Sequence, residues 1–373
     1  MRILLATDAW EPQVNGVVRT LIRTVAECRA MGHEVEVVSP DQFKTVPLPT
    51  YPEIRLAVGA YEPMQERFKA FEPEAIHIAT EGPVGLAARR LCVEWKLPFT
   101  TSYHTRFPEY VAARFPVPST AGYAYMRWFH KPSGRVMVAT PTMRDELEKR
   151  GFTNLSPWTR GVDTDLFQPR EALAAAGVPD PYAGRARPVF LNVGRVAVEK
   201  NIEAFLELDL PGSKAVVGDG PSREALTQKY PDVMFAGMKF EQDLAAFFAY
   251  ADVFVFPSLT DTFGLVLLEA MAAGTPVAAY PAPGPVDIVP GSGAGVLSDD
   301  LREACVEALK IDRAHARAYA ERFSWRASTE EFIRNLQPYP APEKTRFWRR
   351  LRRLARLRRR TQIGGVKTPD ARV

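Results

Sequence analysis

Two acidic residues flank the start of a strongly helical segment in the second half of the chain. Asp261 precedes Glu269 by eight positions, and Gly264 lies between them where the helical run begins. The first turn of a helix has unpaired N–H groups and the positive end of the helix dipole, so it is suited to bind an anion. Carboxylates beside it can bind hydroxyl groups. This combination favours a ligand that has both phosphates and sugar hydroxyls.

Basic residues follow an earlier strand-like run at 188–193. Arg195 comes directly after Gly194, and Lys200 follows five positions later. A guanidinium can bind two phosphate oxygens at once, whereas an ammonium acts as a point charge. Either residue can instead be a surface charge beside a glutamate. Because both follow a strand at the sheet end where Asp261 is also expected, we predict that they bind a diphosphate.

Three further loops contribute candidate residues. His104 ends a strand, where a neutral imidazole can bind a sugar hydroxyl, although a lone histidine is more often structural. Asn15 and Gly16 follow the first strand and are either an ordinary turn or a place where backbone approaches phosphate or acceptor. Gly218 and Gly220 lack the full G-x-G-x-x-G pattern and indicate only backbone approach to a base or ribose.

Asp163-Thr164-Asp165 matches a D-x-D pattern that binds metal in some sugar transferases. A triplet this short arises easily by chance. It precedes the predicted boundary between two domains, so we interpret it as a turn or hinge element and predict neither a metal site nor a cofactor.

Strands alternate with helices along the chain, which indicates parallel α/β sheets. The predicted strands are 2–7, 32–39, 76–79, 98–102, 136–140, 188–193, 214–218, 233–236, 253–256 and 276–279. The length of 373 residues suggests two domains, which we place at 1–168 and 188–318 with an Ala-, Gly- and Pro-rich linker at 169–187. Ligands of such sheets bind beyond the carboxyl ends of the strands.

The cysteines and the hydrophobic pattern bear on location. Three widely separated cysteines have no metal-like spacing and favour a reduced, cytoplasmic protein. The N-terminal residues do not fit a signal peptide, and no run approaches the ~20 apolar residues of a spanning helix. We therefore expect a cytoplasmic protein attached peripherally to the inner face of the cell membrane.

The attachment is predicted from the C-terminal segment 341–373. It holds twelve Lys or Arg and two acids, a net charge of +10, while the rest of the chain carries −6. Aromatic and leucine side chains recur there at helical spacing among arginines, which favours an anionic membrane surface over a nucleic-acid arm or a disordered solubilising end. The residues expected to contact the membrane are Trp348, Arg349, Arg350, Leu351, Arg352, Arg353 and Leu354. The aromatic and basic segment 107–135 fits either the headgroup layer or a buried aromatic core with a charged rim.

Together these motifs resemble the retaining family 4 glycosyltransferases of the GT-B fold, over residues 1 to about 336. They are most similar to bacterial transferases that act on diacylglycerol-type lipids and to mannosyltransferases. The segments that carry the resemblance are Asn15-Gly16-Val17, Tyr103-His104-Thr105, Gly161-Val162-Asp163, Gly194-Arg195, Glu199-Lys200-Asn201, Gly218-Asp219-Gly220-Pro221, Phe263-Gly264-Leu265 and Glu269-Ala270-Met271.

The resemblance implies two Rossmann-like, doubly wound domains with a cleft between them, the run 319–336 crossing back to complete the first. By motif match, Arg195 and Lys200 would neutralise the leaving diphosphate, and Glu269 would bind ribose. Asp261 and the backbone of Phe263, Gly264 and Leu265 would hold the sugar, while His104 and Gly16 line the reaction centre. Asp261 stands where the family usually has Glu, so its shorter reach bears on the choice of donor sugar.

The expected activity is metal-independent, retaining transfer of a hexose or hexuronic acid from a nucleotide sugar to a membrane lipid such as diacylglycerol. UDP-glucose, UDP-glucuronate and UDP-galactose are favoured as donors, and a GDP-mannose-dependent α-mannosyltransferase is the alternative. The expected partners are the donor, the lipid acceptor and an anionic membrane surface, without nucleic acid. A nucleotide-sugar epimerase and a non-catalytic sugar-nucleotide binder are the competing classes.

Overall fold

Residues 1–48, 51–112 and 118–339 are described by a computed structural model of the protein. The first part of the chain contains β1 (Arg2–Ala6), α1 (Gly16–Ala30), β2 (Glu34–Val38), β3 (Lys44–Leu48), β4 (Tyr51–Val58), α2 (Tyr61–Phe71), β5 (Ala75–Ile78), α3 (Pro83–Trp95), β6 (Thr100–Tyr103), α4 (Phe107–Ala112), α5 (Ser119–His130), β7 (Arg135–Val138), α6 (Pro141–Lys149) and β8 (Leu155–Pro157).

The second part repeats the alternation of strands and helices. It contains α7 (Arg170–Ala175), β9 (Val189–Val193), α8 (Ile202–Leu206), β10 (Ser213–Val217), α9 (Arg223–Lys229), β11 (Met234–Gly237), α10 (Glu241–Tyr250), β12 (Val253–Phe256), α11 (Leu265–Ala272), β13 (Val277–Ala279), α12 (Pro285–Ile288), β14 (Gly295–Leu297), α13 (Leu301–Ala308), α14 (Arg313–Ala320) and α15 (Trp325–Asn335).

Two parallel six-stranded sheets organise the molecule, as the alternation predicts. Their strand orders are β2-β1-β5-β6-β7-β8 and β11-β10-β9-β12-β13-β14. In each sheet the strand order reverses beside the first strand of that half, between β1 and β5 and between β9 and β12. Loops at such switch points leave a crevice for ligands at the carboxyl ends of the strands.

Some elements were not predicted because their sequence signals are weak. The antiparallel pair β3–β4 contains Pro47 and Pro52, which are unfavourable in strands. Strands β8 and β14 have only three residues each, too few for a periodic pattern. Each adds one edge strand to a sheet without changing its parallel direction.

The segment 169–187, expected to be a linker, contains α7 and packs on the second half. Leu173 and Tyr182 are buried in the core around α10 and α11. The Tyr182 hydroxyl donates to the carbonyl of Phe247 over 2.8 Å. The Ala-, Gly- and Pro-rich composition of segment 169–187 gave no indication that Leu173 and Tyr182 would be buried in this core.

The end of the described chain returns to the first half. Helix α14 packs on α11, and α15 then lies against α1. Phe332 and Leu336 are buried beside Trp158 in the hydrophobic core of the first half. Of the run 319–336 expected to cross back, only the part from α15 onward reaches the first sheet, since α14 remains on the second.

The segment 107–135 divides between the two interpretations given to it. Tyr123 and Phe129 are buried in the first half. Trp128 is 51% exposed, and the Arg89 guanidinium stacks 3.9 Å from the centre of its ring. Phe107 is also 50% exposed, so the described aromatic residues of this segment divide between a buried core and an exposed rim.

Across the described ranges, every helix is too short or too polar to cross a bilayer. The predicted membrane-contacting residues Trp348 to Leu354 lie outside the described residues.

Gly161 lies where the returning chain passes closest to the end of the first sheet. A Cβ placed on it would lie 2.4 Å from the Trp325 nitrogen and 2.6 Å from its Cα. Both atoms belong to backbone, so neither can move aside alone. Gly161→Ala should lower the free energy of unfolding by roughly 1–3 kcal/mol, measured by urea denaturation. Ala174→Ser, which adds an atom on the exposed side of α7, is the control, and equal stability of the two variants would contradict the close approach.

Candidate active site

Helix α11 begins at the predicted anion site. Gly264 caps it with φ +82°, a left-handed conformation that favours glycine, and within the described residues no side chain caps this helix start. A Cβ on Gly264 would lie 3.0 Å from Leu267 Cδ1 and 3.3 Å from Phe256 Cζ. Phe263 is buried just before it, and Leu265 is the first helical residue. The first backbone N–H groups of this helix therefore have no side-chain cap among the described residues.

The loops after β9 and β12 are joined by a short ion pair. Lys200 Nζ lies 2.6 Å from Asp261 Oδ1. Asn201 Nδ2 donates to the carbonyl of Pro257 over 3.1 Å, and Thr260 Oγ1 donates to that of Glu199 over 3.2 Å. Because β9 and β12 are neighbours, the structure brings together the acid and the cation that the sequence placed 61 positions apart.

Asp261 keeps unused hydrogen-bonding capacity. Its Oδ2 atom is buried and, among the described residues, has no hydrogen-bond partner. Arg195 follows β9 in the same loop as Lys200 and is half-buried. The two predicted phosphate-binding cations therefore lie on one loop, and Lys200 contacts the predicted sugar-binding acid.

The glycines of this half pack against backbone. A Cβ on Gly218 would lie 1.9 Å from the carbonyl oxygen of Gly194, and one on Gly220 would lie 2.4 Å from that of Val196. The Gly194 nitrogen donates to the carbonyl of Val217 over 3.0 Å. Close packing of the loops after β9 and β10 thus gives a structural reason for Gly218 and Gly220, whatever their relation to a base or ribose.

Glu269 is a buried carboxylate whose partner comes from the other half of the molecule. Its side chain is 6% exposed and forms an ion pair with Arg19 of α1. Burial raises its pKa, and Arg19 opposes the shift. The second oxygen, Oε2, has no hydrogen-bond partner in the described ranges. A carboxylate in this apolar helix needs a partner, and Arg19 provides one across the cleft.

The start of α1 faces the start of α11. Asn15 Oδ1 caps α1 by accepting from the nitrogens of Val17 and Val18, both over 3.0 Å. A Cβ on Gly16 would lie 3.6 Å from Leu265 Cδ1, which is ordinary contact. Asn15 therefore has a structural function at the helix start, and Gly16 lies directly across from the predicted sugar-binding segment.

His104 reaches the cleft through its backbone. Its carbonyl accepts from Thr262 Oγ1 over 2.7 Å, beside Asp261. The buried ring has Arg160 Nη2 3.2 Å from Nδ1 and Ser102 Oγ 2.8 Å from Nε2. Burial lowers the pKa of His104 well below its usual value, with help from the Arg160 charge, so the imidazole is neutral. Since both nitrogens have protein partners, contact between this ring and a sugar hydroxyl stays a prediction.

Asp163 has a structural contact at the junction of the halves. It forms an ion pair with Arg23 over 2.6 Å and accepts from the Leu166 nitrogen over 3.0 Å. The described residues contain no group of three or more His, Cys, Asp or Glu side chains placed to hold a metal ion.

Arg19, Arg160 and Thr262 were missed as site residues by sequence reasoning. Each contacts a predicted site residue that is distant in sequence. The need of Glu269 for a cation was visible in the apolar sequence around it, but the choice among the basic residues of the chain required the fold.

Comparison with known proteins identifies two families along the chain. Residues 14–166 match the model described as Glycosyltransferase Family 4, and residues 187–311 match Glycosyl transferases group 1. A GDP-mannose-dependent alpha-mannosyltransferase of Mycolicibacterium smegmatis is 30% identical over 324 residues, which cover 80% of this chain and 84% of that protein. An alpha-monoglucosyldiacylglycerol synthase of Streptococcus pneumoniae is 27% identical over 351 residues, which cover 83% of this chain and 78% of that protein.

A solved structure shares the architecture. Sucrose-phosphate synthase from Thermosynechococcus elongatus superposes with a TM-score of 0.70 at 22% identity, covering 89% of this chain and 97% of the other. The two sheets therefore form the GT-B fold that the sequence predicted.

The Arg19–Glu269 pair makes stability depend on pH. Burial raises the pKa of Glu269 above 4.5, so stability falls as pH rises from that value through the folded-state pKa. Arg19→Met should raise this pKa further and extend the loss to higher pH. We expect it to cost roughly 1–3 kcal/mol at about pH 8, less than a fully buried pair because Arg19 is partly solvated, and progressively less towards pH 4.5. Urea denaturation across pH measures this.

Arg23→Met is the matched control for Arg19→Met. Arg23 lies one turn further along α1 and pairs with the more exposed Asp163. A pair of this kind contributes at most ~1 kcal/mol. Equal, pH-independent losses in the two variants would contradict the assigned burial and pairing of Glu269.

Proposed function

Because the chain belongs to the family 4 glycosyltransferases and is a hexosyltransferase of that family, we propose that it transfers mannose from GDP-mannose to a membrane lipid with retained configuration. The observation that carries the proposal is a set of contacts around the start of α11: Lys200 pairs with Asp261, Arg19 pairs with Glu269, and Gly16 lies beside Leu265. The sequence favoured a UDP-sugar, but the mannosyltransferase relative supports the alternative better.

The diphosphate of the donor would lie between the loop after β9 and the start of α11. Lys200 can keep its contact with Asp261 and also reach a phosphate, because an ammonium has three donors. Arg195 lies on the same loop and supplies a second fixed charge. Positive charge placed where the leaving diphosphate develops negative charge stabilises the transition state.

The two carboxylates would bind hydroxyl groups of the donor. Glu269 would bind ribose, and Asp261 would bind the transferred sugar with the backbone of residues 263–265. Each acid has one buried oxygen without a hydrogen-bond partner in the described ranges. Unpaired buried oxygens favour a ligand that brings hydroxyl donors.

The transfer would proceed without an enzymic nucleophile. As the anomeric C–O bond breaks, the electron pair leaves with the diphosphate, and the sugar develops oxocarbenium character. The acceptor hydroxyl attacks the same face, and the departing phosphate oxygen takes its proton. Closure of the two halves would gate turnover.

The acceptor proposal is a lipid of the diacylglycerol class. The Streptococcus pneumoniae relative is named as a diacylglycerol glycolipid synthase. The basic, apolar-striped sequence 341–373 supports contact with an anionic surface. Both features support a proposed acceptor hydroxyl at a membrane surface.

Product analysis with separate donors tests the reaction. The full chain is incubated with labelled GDP-mannose, UDP-glucose, UDP-galactose or UDP-glucuronate, with or without vesicles of total membrane lipid. We expect a mannosyl lipid and lipid-dependent release of GDP, because the relative with the higher identity uses GDP-mannose. Lys200→Met should lower kcat by about 10²–10³-fold. Mass spectrometry of the lipid fraction identifies donor and acceptor together.

Lys229→Met is the control for Lys200→Met. Lys229 also pairs with a carboxylate in the second half, Glu203 at 2.7 Å, but on the exposed surface. Its activity should match that of the unaltered chain. If a product forms only with a UDP-sugar, that sugar would replace mannose in the proposal. Sugar interconversion without lipid would indicate an epimerase, and donor binding without turnover would indicate a non-catalytic binder.

Deletion of residues 341–373 tests the membrane contact. Each basic residue near an anionic surface contributes about 1 kcal/mol, so loss of the net +10 segment should abolish co-sedimentation with phosphatidylglycerol vesicles. A full-length variant with Trp348, Leu351 and Leu354 changed to Ser retains every charge and should bind less tightly than the unaltered chain but more tightly than the deletion.

Unchanged vesicle binding after the deletion would exclude this segment as the membrane contact. Binding that RNA displaces would favour the nucleic-acid interpretation. GDP release measured with detergent-dispersed lipid separates loss of membrane binding from loss of catalysis.

A further inference from the structure

Arg160 is a buried guanidinium at the end of the first sheet. It is 4% exposed and follows β8 by three residues. Its Nη1 donates to the carbonyls of Trp158 and Thr159 over 2.6 and 3.1 Å. Within the described residues it forms no ion pair with a carboxylate. Burial lowers the pKa of Arg160, and the negative charge of Glu331 opposes that shift. The Nη1 group of Arg160 is therefore used by backbone carbonyls, and its Nη2 group can bind another partner.

The Nη2 group is directed at His104. Arg160 Nη2 lies 3.2 Å from His104 Nδ1. A guanidinium only donates hydrogen bonds, so Nδ1 must accept and cannot carry a proton. The ring proton of the neutral imidazole is therefore on Nε2, which donates to Ser102 Oγ over 2.8 Å.

Aromatic packing restricts both groups. The Arg160 guanidinium lies 4.4 Å from the centre of the Trp158 ring, and the His104 ring meets the same indole edge-on with centroids 5.5 Å apart. Trp158 is fully buried. Rotation of the His104 ring would therefore break two hydrogen bonds and disturb a packed indole.

We propose that Arg160 is a positioning residue for the transfer reaction, holding His104 in one orientation and one tautomer so that the His104 carbonyl meets Thr262 across the cleft. This inference rests on the proposed function, because it assigns Arg160 a place in that site. The carbonyl accepts from Thr262 Oγ1 over 2.7 Å, next to Asp261, so a turn of His104 would move the sugar-binding loop.

The groups around the His104 ring all oppose its protonation. Burial is the largest cause of its lowered pKa, followed by the charge of Arg160 and then His77 and His130. His77 itself has a lowered pKa of about 3 because it is buried, so it stays neutral. Its Nε2 lies 3.1 Å from the same Ser102 Oγ that His104 contacts. Removing the Arg160 charge should consequently raise the pKa of His104.

Nitrogen-15 NMR of histidine-labelled full chain tests the tautomer directly. The chain has five histidines, and a His104→Asn spectrum assigns the relevant signals. We expect unaltered His104 to show a proton on Nε2 alone, without titration between about pH 5 and 8. In Arg160→Met the two tautomers should mix, because Nδ1 loses the donor that keeps it unprotonated. Arg160→Lys keeps a charge and a donor and should restore the Nε2–H form.

Arg313→Met is the matched control. Arg313 is a partly buried arginine that also donates to backbone carbonyls, those of Ala251 and Ala249 over 2.8 and 2.6 Å, but it lies in the second half. It should leave the His104 signals unchanged. In Arg160→Met kcat should fall on the order of 10–100-fold with donor KM little changed.

The NMR result is independent of turnover, so failure of the inference is distinguishable from failure of the proposed reaction. A proton on Nδ1 in the unaltered chain would overturn the inference without any variant. The same conclusion follows if Arg160→Met retains a single Nε2–H form, or if its kcat matches that of Arg313→Met.

Discussion

A carboxylate buried in an apolar helix constrains how the two halves of this molecule meet. Glu269 lies within α11, where its immediate helical neighbours are apolar and buried. Desolvation of such a group is expensive unless a counter-charge is close. That charge comes from Arg19, which lies one turn into helix α1 of the first half. The ion pair therefore fixes the distance between two helix starts, and the positive dipole ends of both face the crevice.

The loops around this pair follow from the order of the strands. Because β9 and β12 are adjacent at the reversal of strand order, the loop that carries Lys200 meets the loop that carries Asp261. The shorter acid at position 261 reaches the ammonium with one oxygen and leaves the other without a partner in the described ranges. In the proposed site, Lys200 would bind a phosphate group of the ligand and the second oxygen of Asp261 would bind a hydroxyl group.

The sequence predicted the features that local patterns determine. Alternating strands and helices gave both parallel sheets, and the position of Gly264 gave the start of α11. The sequence did not predict contacts between distant residues. No local pattern connects Arg19 with Glu269, or Arg160 with His104. The buried histidines illustrate the same limit. No local pattern connects His77 with the site, yet it contacts Ser102, which also contacts His104. This connection exists only because β5 and β6 are adjacent in the sheet.

The contacts between the halves differ in kind at the two ends of the interface. Near the crossing of the chain, Val162 and Phe167 are buried with the core of the second half, and the Val162 nitrogen donates to Phe323 over 2.9 Å. Across the crevice, an ion pair and a hydroxyl–carbonyl bond join the halves instead. Apolar side chains buried in the interface gain no replacement partner in water. A hydroxyl or phosphate of a ligand, in contrast, can replace a polar contact, each of which contributes roughly 1–3 kcal/mol. The apolar end is thus suited to remain closed as a hinge, while a ligand entering the crevice can exchange the polar contacts for its own.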